Sequence, residues 1–136
     1  MSPWLDMVLR LLLAAVLGAG IGYHRERAGK AAGLRTHICI ALGAALFTVA
    51  SIFGFSGAAD PSRVAAGVVA GIGFIGAGVI FRGVHGSGDG IAGITSAAVI
   101  WVTAAIGLAA GAGLYSIAAI VTLITVIVLM LPKIRG

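Results

Sequence analysis

The chain has 136 residues, 60% of them hydrophobic and 10% charged, with no Asn or Gln and a mean hydropathy of +1.16. Soluble domains are about 45–50% apolar and about 25% charged, so this chain cannot cover a water-facing surface; a soluble domain, a disordered tail and a disulfide scaffold are excluded, and an integral membrane protein is left. Nine Lys and Arg against four Asp and Glu give a formal net charge of +5, but the basic residues sit at the ends of apolar runs, which points to lipid headgroups and topology rather than nucleic acid.

Five spans are predicted, at about residues 5–23, 37–55, 62–81, 91–110 and 114–131. The first is expected to be retained rather than cleaved, because Asp6 stands beside Arg10 ahead of the apolar run and the charged cluster follows it. Cys39, the one cysteine, lies inside the second and reads as a small hydrophobe. The last two spans come from one uncharged run, from Ile91 to Leu131. As a single helix it would reach about 60 Å, roughly twice a bilayer core, so Gly111-Ala112-Gly113 is read as the turn that divides it.

Charge orients the five. Arg25, Arg27, Lys30 and Arg35 follow span 1, Arg82 follows span 3, and Lys133 and Arg135 follow span 5; the other side has Asp6, Asp60 and Arg63. The positive-inside rule then puts the N-terminus outside and the C-terminus in the cytoplasm. Trp4, Phe55 and Tyr115 fit the outer boundary, Tyr23 and Phe81 the inner one.

Small residues predict where helices meet, since helix association in lipid depends on close packing. Ala14, Gly18 and Gly22 recur by fours in span 1, Ala41 and Ala45 in span 2, and Gly67, Gly71, Gly73, Gly76 and Gly78 crowd span 3. Span 3 is therefore expected at the centre. Span 5, with bulky Ile120, Leu123, Ile124, Ile127, Val128 and Leu131, is expected at the periphery, facing lipid or a second subunit. Gly71-Ile72-Gly73-Phe74-Ile75-Gly76 fits GxGxxG, but inside an apolar span no nucleotide reaches it; it either packs or loosens the helix along a polar path. A parallel repeat is also suggested. Gly18-Ala19-Gly20-Ile21 matches Gly76-Ala77-Gly78-Val79, and Ala32-Gly33-Leu34-Arg35-Thr36 matches Ala92-Gly93-Ile94-Thr95-Ser96. The two corners, with Thr36 and Ser96, are expected to meet on the cytoplasmic side.

Ionisable groups within membrane spans are functional candidates. Asp6 and Arg10, four apart, read either as an ion pair with Arg10 reaching to the interface or as part of an outer vestibule. Asp60 reads as the N-cap of span 3 with Pro61 at its first position. Asp6 and Asp60 at one mouth would attract hydrated Mg²⁺, with Arg63 opposing. Thr48, Ser51, Thr95, Ser96 and Thr103 bond within the helices or line a path. Arg25, Glu26, Arg27 and Lys30 read as a loop that binds headgroups, or that docks an acidic partner. His24, His37 and His85 scatter over the inner loops, and neither a phosphate-binding loop nor HExxH is present, so no enzyme is expected.

The stretches Gly18–Gly22, Ala32-Gly33-Leu34-Arg35-Thr36, Asp60-Pro61-Ser62-Arg63-Val64-Ala65-Ala66, Gly71–Gly78 and Gly93-Ile94-Thr95-Ser96-Ala97-Ala98 with Trp101 resemble the MgtC/SapB family of bacterial inner-membrane proteins. The resemblance implies a five-helix multi-pass domain with an outside N-terminus. It also implies a role in adaptation to low magnesium, for some members in survival inside macrophages, and for some in modulating other membrane proteins, the ATP synthase included. It leaves transport open. The family usually has an acid where His24 stands and often a Gln where Gly67 stands, and many members carry a soluble C-terminal domain; this chain is expected to be a short SapB-like form without it, or else a truncated piece of a longer member. The function expected is that of a regulator or scaffold linked to low magnesium. The alternative is a conduit for Mg²⁺ or another small solute, working as a homo-oligomer, such as a dimer, through Asp6, Asp60, Arg63, Thr95, Ser96, Arg35 and Thr36.

Overall fold

A computed structural model describes residues 2–55, 60–87 and 93–132, without the side chains of 82–87. Lys133 and Arg135, used above for topology, lie outside that description, as do the side chains of Arg82 and His85. Five helices follow one another: α1 (Pro3–Arg27), α2 (Leu34–Phe53), α3 (Ser62–Ser87), α4 (Ile94–Gly111) and α5 (Tyr115–Leu129). The first four are long and apolar enough to cross a membrane, and α5 is a shorter apolar helix.

Local chemistry sets the boundaries. Ser2 Oγ accepts from Leu5 N at 3.2 Å and Pro3 takes the first position, so α1 starts with both of the usual N-terminal devices. Gly29 leaves it with φ +71°. The predicted Gly111–Gly113 break is where α4 ends and α5 is about to begin, and Gly113 supplies φ +88°, a backbone state that costs glycine nothing.

Packing centres on α4, which touches every other helix; among the described residues α3 touches only α2 and α4. Ala41 on α2 sits in the grip of two glycines. A Cβ on Gly18 of α1 would lie 2.6 Å from the His37 carbonyl oxygen and 2.9 Å from Ala41 Cβ, and one on Gly107 of α4 would strike the Ala41 backbone. Gly22 against Leu34 and Gly111 against Ala45 repeat the arrangement one turn away in each direction. These backbone approaches join α1, α2 and α4 into one tight unit around Ala14, Ile21, Ala41, Ala45 and Ile106.

The expected central place of span 3 is therefore corrected. Gly67, Gly71, Gly73 and Gly78 have open space where a Cβ would stand, and only Gly76 meets a neighbour, Ala97 of α4 at 3.5 Å. Glycine permits close approach but does not supply the partner. Here α4, with Gly107 and Gly111, takes the middle. Span 5 is peripheral as expected: Leu123, Ile124 and Ile127 are exposed, and only Ala118 and Thr122 are buried.

Candidate functional site

The helices bring polar groups together at two opposite ends of the bundle. At the first, the start of α1 meets the ends of α2 and α4 and the start of α5. Arg10 Nη2 pairs with Asp6 Oδ2 at 3.0 Å, as their spacing predicted. Arg10 does not reach outward for water. Its Nη1 donates to the Gly111 carbonyl at 2.9 Å, and its guanidinium lies 4.9 Å from the Phe53 ring centre. Asp6 Oδ1 accepts from Tyr115 Oη at 2.9 Å. Four helices are thus tied through one cation, and both oxygens of Asp6 are engaged.

Asp60 precedes α3, exposed, accepting from Ser62 N at 3.0 Å and Ser62 Oγ at 2.8 Å. Those two bonds favour the carboxylate and hold its pKa below the usual value. It is the N-cap that its sequence context indicated. Arg63, one residue after Ser62, is exposed. Among the described residues no three His, Cys, Asp or Glu side chains gather as a metal-binding group. The pairing of Asp6 and Asp60 as one cation mouth thus gains no geometric support: Asp6 is engaged by Arg10 and Tyr115, and Asp60 by Ser62.

At the opposite end, the last turn of α1 meets the first turns of α2 and α4. Here the reading of Arg25 as a headgroup or partner contact is corrected. The side chain is 3% exposed, and Nη2 donates to Ser96 Oγ at 2.7 Å. The reason lies in helix periodicity: Arg25 continues the buried face of Ala14, Gly18, Ile21 and Gly22, so it points into the bundle. Glu26, though exposed, is also not free for a partner. Its Oε1 accepts from Leu34 N at 3.0 Å and so caps α2, whose N-cap residue, Gly33, offers no side chain. A Cβ on Gly33 would lie 2.5 Å from that oxygen, so a side chain there would displace the end of Glu26. Arg27 donates to Tyr23 Oη at 2.8 Å on the exposed side, and Lys30 is exposed, as a headgroup role requires.

The expected meeting of Thr36 and Ser96 is not borne out by any hydrogen bond between them among the described residues. Ser96 is buried on Arg25, whereas Arg35, Thr36 and Thr95 are exposed. Sequence reasoning passed over His37 as a loop residue. It is wholly buried, with Nδ1 2.9 Å from the Gly33 carbonyl. The signal was present, because His37 lies four residues before Ala41 and eight before Ala45, on the same buried face.

Between the two ends the interior is apolar. Thr48, Thr103, Thr122 and Thr125 each donate to the carbonyl four residues earlier in their own helix. Ser51 Oγ donates to the Pro61 carbonyl at 3.3 Å. A cleft of about 630 Å³ between α2 and α3 is walled by apolar residues, Cys39, Phe47, Gly67, Gly71 and Ala104 among them. A smaller one of about 360 Å³ lies between α3 and α4 beside Gly73 and Trp101.

Comparison with known proteins agrees with the motifs. The MgtC family model matches residues 11–134. The Escherichia coli K12 protein named "Putative magnesium transporter YhiD" is 45% identical over 131 residues, covering 91% of this chain and 59% of that protein. Protein SrpB of Synechococcus elongatus is 40% identical over 137 aligned positions, covering 94% of this chain and 75% of its own length. Protein MgtC of Brucella abortus is 45% identical over 115 residues, covering 85% of this chain and 46% of that protein. The chain thus spans less than two thirds of the YhiD and MgtC relatives. No solved structure matches it. Apolar helices in series, small-residue packing and these similarities together make the chain a multi-pass membrane protein that belongs to the MgtC family.

Proposed function

We propose that this chain is a non-enzymatic protein of the bacterial inner membrane that serves adaptation to low magnesium by regulating or scaffolding other membrane proteins. The N-terminus lies outside, because Arg25, Arg27, Lys30 and Arg35 cluster on the connection from α1 to α2. The observation that carries the regulatory reading is the apolar interior. The hydroxyls of Thr48, Thr103, Thr122 and Thr125 are spent on their own helices, and the clefts beside α3 are apolar. An ion crossing there would find few groups to replace its water. The link to magnesium rests on the transporter name of the Escherichia coli relative and on the family.

That name also supports the second reading, a conduit formed by two or more copies, for which the open α3 face at Gly67 and Gly71 leaves room. Flux into proteoliposomes of the purified chain decides between them, with Mg²⁺, K⁺, Na⁺, H⁺ and phosphate tested in turn. The regulator gives no flux above empty liposomes and co-purifies with a membrane protein after crosslinking in magnesium-starved cells. Flux lost in Asp60→Ala or Thr95→Val overturns it in favour of the conduit.

A further inference from the structure

Where α1, α2 and α4 meet at the Arg25 end, no anion pairs with the buried positive charge of Arg25 among the described residues. Arg25 carries five N–H donors, which among the described residues form one side-chain hydrogen bond, to Ser96 Oγ. Its Nε is buried and has no partner among them. A guanidinium does not give up its proton in proteins, so burial cannot be relieved by neutralisation.

The surroundings add to the charge instead of cancelling it. Ser96 stands in the first turn of α4, the positive end of that helix dipole, and the α4 N-cap, Gly93, brings no side-chain cap. The first turn of α2 faces the same end. There His37 is wholly buried within reach of the Arg25 charge, and its Nε2 is also without a partner. The neighbouring acid, Glu26, keeps its charge but turns to the first turn of α2, where Oε1 accepts from Leu34 N, and makes no ion pair with Arg25. Asp6 and Asp60 belong to the opposite end, Asp89, the fourth acid of the chain, lies outside the described residues, and no ion pair to Arg25 forms among the described residues.

A helix N-terminus without a side-chain cap, a buried guanidinium and unpartnered buried nitrogens are what an oxyanion site requires. We infer that this end binds a phosphate group, either free inorganic phosphate or the phosphate of a lipid headgroup. Arg25 provides the charge, and the Ser96 hydroxyl positions it against the first turn of α4. His37 favours phosphate over halide. Its Nδ1–H is used by Gly33, so Nε2 is left as an acceptor for a protonated phosphate oxygen.

The test is made on the purified full chain in an uncharged maltoside detergent, which supplies no phosphate. Its unfolding temperature is followed while sodium phosphate replaces sodium chloride at constant ionic strength, and separately while phosphatidic acid is added. The expected result is a saturable rise with one of the two. A rise with inorganic phosphate identifies a soluble ligand, and a rise with phosphatidic acid alone identifies a headgroup. Arg25→Gln, which removes the buried charge, is expected to be at least as stable as the native chain without phosphate and to lose the rise. Arg25→Lys, which keeps the charge but not the planar fork, is expected to shift the titration midpoint about tenfold. No response to either source in the native chain overturns the inference, and so does a response that Arg25→Gln retains. A phosphate response that appears only in Asp89→Asn also overturns it, by assigning the missing charge to Asp89.

Discussion

The two hairpins α1–α2 and α3–α4 share sequence echoes but are put together differently. In the first, Gly18 and Gly22 lie against the backbone of α2 so closely that neither admits a Cβ. In the second, Gly76 meets Ala97 at ordinary contact distance, and Gly67, Gly71, Gly73 and Gly78 meet nothing. The helix starts differ too. Glu26 reaches across its hairpin to cap α2, while α4 starts on Gly93 without a side-chain cap and receives Arg25 of the other hairpin at Ser96. A small-residue motif in a membrane helix therefore says where another surface can approach, not whether the chain itself provides it.

The largest effect that sharpens this contrast is expected from a matched pair of substitutions. Gly18→Leu forces a side chain into the His37 carbonyl and should cost about 3 kcal/mol or prevent folding. Gly71→Leu enters open space and should stay within about 0.5 kcal/mol. Reversible unfolding of the purified chain in mixed micelles measures both, and equal losses would break the comparison. Glu26→Gln comes next. It weakens the carboxylate bond to Leu34 N and should cost about 1 kcal/mol in the same assay, with α2 fraying first in amide exchange.

The smallest effect is a pH slope. Asp60 is held below the ordinary carboxylate range by Ser62, so its contribution is complete above about pH 4 and is lost as pH falls through its folded pKa. Asp60→Asn should flatten that part of the stability curve, and an unchanged slope would mean that the Asp60 cap does not persist in solution.

Individual residues show how far the sequence could be read. The break at Gly111–Gly113, the Asp60 cap, the Asp6–Arg10 pair and the exposed α5 were all legible, because each depends on spacing within one helix or turn. Arg25 was misplaced because its position next to Glu26 and Arg27 suggested a solvated cluster, whereas the helical turn separates them. Arg25 faces inward, Arg27 outward over Tyr23, and Glu26 across to α2. His37 and Gly107 were passed over for a related reason: their register with Ala41 has meaning only once α1, α2 and α4 are known to meet there.

By itself, the sequence determined the membrane environment, the number and approximate bounds of the helices, and the family, since hydropathy, breakers and motif order are properties of the linear chain. Only the tertiary structure decided that α4 rather than α3 is central, and that Arg25 is buried on Ser96. Which of several glycine-bearing faces becomes occupied depends on all helices packing at once. No single stretch of the chain contains that competition.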